Sequence, residues 1–248
     1  MSESDWHSYE KLWLSANVYL CRFSSTVVAL DLARDCYLAI GGPTLKALAE
    51  VVQGWPDAGP ESLSESEQKS AEISKSIRQL IADGILTTEQ SQGKSAVPTL
   101  FDCDRAQIAL IPNVARARRA HFGDVLNFLS ACISTLWLLR FRSLHAAVES
   151  VANRKGVGNR RDAVDMQLVA DLVAIFRRLR SFTFTGRGRC LFHALVLVSF
   201  LSRYGLHPKF VMGVMIDPWA AHSWVQMDEY VLDGTPEQVR FFTPILAI

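Results

Sequence analysis

The sequence predicts an α+β protein made of two domains. Three observations lead to this prediction. Residues near the N-terminus alternate as short strands do, apolar residues recur at helical spacing through the middle, and a last apolar helix precedes a strand-rich segment. The chain has 248 residues, of which 49% are hydrophobic, so both domains can have a core of their own.

The first domain is predicted over residues 1–88. Strands are expected at 18–23, 27–32 and 36–40, where β-branched and other apolar residues lie between turn signals. Gly41, Gly42 and Pro43 end the sheet. Helices are then expected at 44–52 and 70–86, with a loop or short helix at 56–66.

A linker is predicted at 89–104, because the stretch 87–99 is polar and contains Gly and Pro. The second domain, 105–248, begins with a segment that reads as helical from about 103 to 182. Its longest apolar run, 125–139, is shorter than the roughly 20 residues of a membrane span and is predicted to be a buried helix. Most of the arginines here are expected on solvated helix faces; a basic surface for an acidic partner is the alternative.

The five cysteines form no CxxC pair, and the acidic N-terminus has neither the basic region nor the apolar core of a signal peptide. Both features favour the reducing cytosol, so a cytoplasmic protein without a membrane span is expected.

Cys190 follows the run Thr185-Gly186-Arg187-Gly188-Arg189 and opens a predicted apolar helix. The glycines break any preceding element, which leaves the cysteine in the first helical turn. Free N–H groups, the helix dipole and the two arginines all favour a thiolate there, and the thiolate is the reactive form. The same N–H groups offer a site for an oxyanion.

His222 opens a predicted strand, and alternation places it on the same face as Trp224. A short connection, 227–229, leads to a second strand ending at Asp233, which a hairpin would bring back beside His222. Cysteine, histidine and aspartate are the members of a thiol catalytic triad. The alternative is a structural reading, in which Cys190 is a small buried apolar residue and His222 a hydrogen-bonded one. A zinc site at Cys190 and His193 lacks further ligands at the right spacing.

The sequence around these residues resembles a known family. The runs that carry the resemblance are Cys190-Leu191, Phe200-Leu201-Ser202-Arg203-Tyr204-Gly205, Phe210-Val211-Met212-Gly213-Val214, Ala221-His222-Ser223-Trp224-Val225 and Leu232-Asp233-Gly234-Thr235-Pro236. They are similar to the transglutaminase-like cysteine proteases, or leader peptidases, of lasso-peptide biosynthesis. The resemblance implies a papain/transglutaminase-like α+β core.

The resemblance also implies the catalytic roles: Cys190 as nucleophile, His222 as general base and Asp233 as the group that orients it. Many relatives place the acid one residue later, where this chain has Gly234, and Asp233 is the only acid at the end of the predicted hairpin. Asp228 and Glu229 remain as alternatives, although a turn position suits solvated charges better.

The first domain resembles the winged-helix-like β3α3 domains that bind leader peptides in these pathways. Such domains add the peptide as a strand at the sheet edge, beside the last helix. By position, the expected leader-binding residues are Tyr37, Leu38, Ile73, Ile77 and Leu80, each of which is also a candidate for the domain core. A nucleic-acid ligand is disfavoured, because residues 1–95 hold 8 Lys/Arg against 13 Asp/Glu.

The function expected from the resemblance is cleavage of the leader from a lasso-peptide precursor. The expected partners are the precursor and an ATP-dependent, asparagine-synthetase-like cyclase that closes the ring. No cofactor and no metal are expected in this chain. Two alternatives remain open: an acyltransferase that uses an amine in place of water, and a non-catalytic scaffold that binds the precursor.

Overall fold

The computed structural model of the protein describes residues 11–56, 67–99, 101, 108–110, 118–154, 165–183 and 190–248. The chain divides into two compact units, Met1–Leu100 and Phe101–Ile248. Each unit contains both helices and strands. The prediction of an α+β protein is therefore confirmed.

The N-terminal unit contains two three-stranded sheets. Strands β2 (Val18–Arg22), β3 (Thr26–Asp31) and β4 (Cys36–Gly41) form an antiparallel meander in that order, within two residues of the predicted bounds. In the second sheet, β1 (Trp13–Ser15) lies between β5 (Leu86–Thr87) and β6 (Gly93–Lys94). β3 is central and almost wholly buried, whereas β4 is an edge strand and mostly exposed.

Two helices complete the described part of this unit, α1 (Pro43–Val51) and α2 (Glu67–Ala82). Apolar residues at helical spacing on both helices pack into one core with the strands. The buried members on the helices are Leu45, Ala47, Leu48, Val51, Ile73, Ile77 and Leu80. The third helix of the predicted β3α3 arrangement would fall at 57–66, outside the described residues.

The linker predicted at 89–104 is wrong over its first half. Residues 90–92 form a turn of 3-10 helix, and β6 pairs with β1. Ala96 is fully buried, and its N–H donates to the carbonyl of Gln53 at 2.7 Å. A Cβ on Gly93 would collide with Trp13, so this glycine is needed for the close strand approach and is not a sign of flexibility. Residues 89–99 therefore belong to the folded N-terminal unit.

The described helices of the C-terminal unit are α3 (Phe122–Phe141), α4 (Leu144–Arg154), α5 (Met166–Thr183), α6 (Cys190–Ser202) and the short α7 (Pro236–Val239). Its sheet contains β7 (Ile108–Ala109), β8 (Lys209–Ile216), β9 (Trp219–Met227), β10 (Tyr230–Val231) and β11 (Thr243–Ala247). The strand order is β11-β8-β9-β10-β7, and β7 pairs with β10 in parallel.

Helix α6 is the centre of this unit. All eight residues from Ala194 to Leu201 are buried, since α3, α4 and α5 pack around the helix together with β8 and β9. Phe128, Phe176 and Phe200 meet edge-on or tilted, with ring centroids 5.6–6.4 Å apart, and so join α3, α5 and α6. The four residues predicted to face inward on α5 are all buried: Val169, Leu172, Val173 and Phe176.

Helix α3 contains the run predicted as a buried helix, but that prediction is right for one face only. Asp124, Phe128, Ala131, Cys132 and Thr135 are buried, whereas large apolar residues on the opposite side are exposed. α3 is long and apolar enough to cross a membrane, a property that a core helix of a soluble protein can share. The low charge of the run gave no sign of which face is covered.

Candidate active site

Cys190 is the first residue of α6 and is half-buried. The buried run that follows it fixes the helix inside the unit, so the position of the thiol is set by the core. The first N–H groups of a helix have no partner within the helix, and the helix dipole is positive at that end. The thiol thus lies where the fold favours a negative charge.

His222 lies in β9, directly opposite Gly213 of β8. Its ring stacks on Trp224, with centroids 6.2 Å apart and an angle of 18°, and it also contacts Phe242 at 5.2 Å. A Cβ on Gly213 would come within 3.0 Å of both aromatic side chains, so the glycine leaves room for them around the histidine. The predicted common face of His222 and Trp224 is confirmed.

Cys190 and His222 are joined by a side-chain hydrogen bond, which is the main cause of a lowered pKa at the thiol. Burial acts in the opposite direction, while the backbone N–H groups of Ser223 and Leu191 lower the pKa further. The net direction is towards the thiolate, the form that attacks carbonyl carbon.

The other described cysteines behave differently. Burial raises the pKa of Cys21 to about 12 and that of Cys132 to about 11, and it also raises the pKa of Cys36. Within the part of the chain that the structure describes, Cys190 is thus the one cysteine whose surroundings activate the thiol. Cys190 therefore differs from a buried cysteine whose only role is packing.

Asp233 follows the last ladder bond of the hairpin, from the N–H of Leu232 to the carbonyl of Val225 at 2.8 Å. Its carboxylate accepts a hydrogen bond from Arg180 at 3.0 Å and is largely buried. Among the described side chains, no hydrogen bond or ion pair joins Asp233 to His222. The structure therefore brings Cys190 and His222 together and pairs Asp233 with an arginine.

Two arginines of α5 belong to this region, which the sequence did not predict. Most arginines of this segment were expected on solvated helix faces. Arg180 pairs with Asp233, and Arg177 donates to the carbonyls of Leu110 and Leu232 at 3.2 Å. Their spacing was a usable signal of this position, because Arg177 and Arg180 lie one and four residues after the inward-facing Phe176. The two alternative acids, Asp228 and Glu229, are exposed in the hairpin turn.

A second candidate site is a groove in the N-terminal unit, with a volume of about 580 Å³, between β4 and α2. It is lined by Leu38, Ala39, Ile40, Gly41, Thr44, Glu72, Lys75, Ser76, Gln79, Leu80 and Asp83. Six of these eleven residues are polar, and four of the six lie on α2: Glu72, Lys75, Ser76 and Gln79. The sequence did not predict these polar residues as part of a binding site, because the apolar pattern of a helix carries no information about its polar face.

The structure separates the five residues predicted to bind a leader peptide. Leu38 and Leu80 line the groove. Tyr37 precedes Leu38 on the same strand, where alternation turns it to the other face. Ile73 and Ile77 lie in the hydrophobic core and are not part of the groove lining. Core packing accounts for both residues, since apolar residues at helical spacing first fill the core.

In a comparison with known families, residues 130–247 match the Transglutaminase-like superfamily. The match runs from α3 to β11 and includes Cys190, His222 and Asp233. Comparisons with curated proteins and with solved structures gave no significant match. The C-terminal part of the chain is therefore a transglutaminase-like domain, of a superfamily that includes cysteine proteases and acyltransferases. The predicted transglutaminase-like core is confirmed.

Proposed function

We propose that the protein is a cysteine peptidase that removes the leader segment from a ribosomally made lasso-peptide precursor. The observation that carries the proposal is the hydrogen-bonded pair of Cys190 and His222, with its lowered thiol pKa, inside a transglutaminase-like domain. The narrower assignment, to lasso-peptide precursors, is supported by the resemblance of the motifs around both residues.

In the proposed reaction, His222 takes the proton of the Cys190 thiol, and the thiolate attacks the carbonyl carbon at the junction of leader and core. N–H groups in the first turn of α6 are proposed to hold the oxyanion. The C–N bond then breaks, and His222 protonates the amine of the released core. The leader remains as a thioester on Cys190. Water, deprotonated by His222, cleaves this thioester to give the leader carboxylate and the free thiol.

The proposed role of the N-terminal unit is to hold the leader. Among the described residues β4 is an edge strand, and the groove between it and α2 offers apolar and charged side chains together. A peptide added beside β4 would gain backbone hydrogen bonds from the edge and side-chain selectivity from the groove. Joining the binding unit to the peptidase would raise the effective concentration of the precursor at Cys190.

The remaining parts of the proposal come from the resemblance alone. The released core amine passes to an ATP-dependent cyclase, the work is done in the cytoplasm, and this chain uses no cofactor of its own. Asp233 is proposed to orient His222 during the reaction. For this role, a contact with His222 would replace its contact with Arg180.

The test uses a precursor encoded beside the gene, incubated with the wild type, Cys190→Ala and the control Cys36→Ala, with product masses recorded. Cleavage at one junction by the wild type and the control, and none by Cys190→Ala, is expected. Cleavage by Cys190→Ala would show that another nucleophile acts. Precursor binding without cleavage in the presence of the cyclase would favour a scaffold.

An acyltransferase is the second candidate, because the superfamily includes such enzymes and both reactions pass through the same thioester. The two differ in what attacks the thioester. Cleavage in H₂¹⁸O places one ¹⁸O atom in the leader carboxylate if water is the acceptor, which is the result we expect. A leader that carries an added amine, with no ¹⁸O, would identify an acyltransferase.

A further inference from the structure

The outward face of α3 is a stripe of large apolar side chains, each 42–78% exposed. Its members are Phe122, Leu126, Leu129, Ile133, Leu136, Trp137 and Phe141. Five of them, up to Leu136, follow one another at alternating steps of four and three residues, which is the spacing of a coiled-coil seam. The opposite face of the same helix packs against α5 and α6 through Phe128.

Four central members of this stripe are placed symmetrically about position 131. Leu129 and Ile133 lie two residues from that point on either side, Leu126 and Leu136 lie five residues away, and Phe122 and Arg140 nine. A second copy of the helix laid antiparallel across the first would therefore set each position against a complementary one. Such self-complementarity is what a two-fold interface between identical chains requires.

We propose that α3 is the dimerisation surface of the protein and pairs with α3 of a second copy in antiparallel orientation. In this register Leu129 packs on Ile133 and Leu126 packs on Leu136, twice each. Arg140 meets the ring of Phe122 at both ends, a cation–π contact. A parallel pair would instead place Arg140 against Arg140.

The size of the stripe agrees with a dimer. Large apolar side chains bury on the order of 150–250 Å² each, so the exposed fractions amount to roughly 800 Å². Stable interfaces bury about 800 Å² on each partner, whereas the largest apolar patch on an ordinary monomer is about 300–600 Å². The stripe is thus large for a free surface and sufficient for a two-fold contact.

The charges on α3 argue against a lipid surface as the occupant. From Phe122 to Leu139 the helix has a single charged residue, Asp124, which is buried and bound to Arg118. Helices that lie on membranes carry many basic residues beside their apolar face. The buried face of α3 is also fixed in the core, so the helix is not free to insert.

The first test measures the mass of the full-length protein by sedimentation equilibrium over a concentration series. The wild type is expected to dimerise, and Leu129→Glu is expected to raise the dimer dissociation constant at least about a hundredfold, because two carboxylates become buried without partners. Phe241→Glu is the matched control, since Phe241 is an exposed aromatic of the same unit outside the stripe.

Cysteine cross-linking tests the register independently of any loss of folding. In a Cys36→Ser background, Leu126→Cys and Leu136→Cys copies are mixed and oxidised. The antiparallel pair predicts a cross-link between 126 and 136 in the mixture and none in either variant alone. A monomeric wild type, a dimer that survives Leu129→Glu, or a cross-link formed by Leu126→Cys alone would each overturn the proposal. Capture of the monomer by lipid vesicles would do the same.

Discussion

At the scale of single residues, the protein shows how position decides what a cysteine does. Cys132 and Cys190 both lie on helices of the C-terminal unit. Burial inside α3 raises the pKa of Cys132, whereas the hydrogen bond with His222, and then the backbone N–H groups of Ser223 and Leu191, lower the pKa of Cys190. The lowered pKa of Cys190 thus depends on its position at the start of α6 and on His222 of β9.

The pH dependence of alkylation follows from this difference. The alkylation rate of Cys190 is expected to rise at a lower pH than that of an ordinary thiol, because its pKa is lowered. His222→Ala removes the largest cause of the shift, so the midpoint should move to higher pH. Peptide-mapped iodoacetamide labelling measures both, with His207→Ala as the control variant. An unchanged midpoint in His222→Ala would show that the pair does not activate the thiol.

The role of Asp233 is tested against that of its partner Arg180. If the carboxylate orients His222 in the reaction, Asp233→Asn should lower kcat/KM by about a hundredfold, within the large losses seen when a triad acid is replaced. Arg180→Gln leaves the carboxylate in place and should cost at least about tenfold less. Steady-state kinetics on the precursor compares the two. Equal losses would reduce Asp233 to a structural ion pair.

The sequence predicted Cys190 and His222 because both lie at the edges of elements whose periodicity is clear. It did not predict the partner of Asp233. Arg180 is 53 residues away in the chain, and an arginine on an amphipathic helix has the same pattern whether it faces water or a carboxylate. Such an ion pair depends on the angle between α5 and the sheet. The spacing of apolar residues along the sequence does not predict that angle.

At the scale of elements, α3 begins with a buried network around Asp124. The carboxylate accepts two hydrogen bonds from Arg118 at 2.8 and 2.9 Å, one from the hydroxyl of Tyr204 at 2.6 Å, and one from the N–H of His121 at 2.7 Å. The last is half of a capping box that starts the helix. The network attaches the start of α3 to the end of α6.

Asp124→Asn should lower the free energy of opening α3 by about 2–4 kcal/mol, since it leaves Arg118 without its charge partner. Hydrogen exchange at the α3 amides measures this at neutral pH, with the exposed Glu229→Gln as the control.

The effect should depend on pH in a defined direction. Arg118 holds the pKa of Asp124 well below its usual range. The stabilisation is therefore complete above the unfolded-state pKa of about 4 and is lost as the pH falls below it. The difference between wild type and variant should shrink in that range; a constant difference would contradict the electrostatic account.

Element types were predictable wherever a period was repeated. The strands β2, β3 and β4 and the helices α1, α2 and α5 matched because their apolar residues recur several times. β1, β5 and β6 have two or three residues each, too few to show alternation. The exposed stripe on α3 was not predicted for the opposite reason. The sequence of a helix that is apolar on every side does not show which face is covered.

At the scale of the whole molecule, the N-terminal unit is proposed to bind the leader and the C-terminal unit to cleave the precursor. Leu38→Glu should weaken leader binding about tenfold or more, because it places a charge in the groove beside β4. Fluorescence anisotropy with a labelled leader and full-length Cys190→Ala protein measures the dissociation constant. Val97→Glu is the control, an exposed valine of the same unit outside the groove. Equal affinities for both variants would place the leader elsewhere.

Cys190 is proposed to carry the leader as a thioester, and rapid acid quenching of the wild type with precursor would trap this intermediate. Peptide mapping of the quenched protein should find the leader mass, less one water, on the peptide that contains Cys190. The intermediate should disappear in Cys190→Ala and form more slowly in His222→Ala. Leader attached to a different residue, or rapid cleavage by Cys190→Ala, would contradict the account.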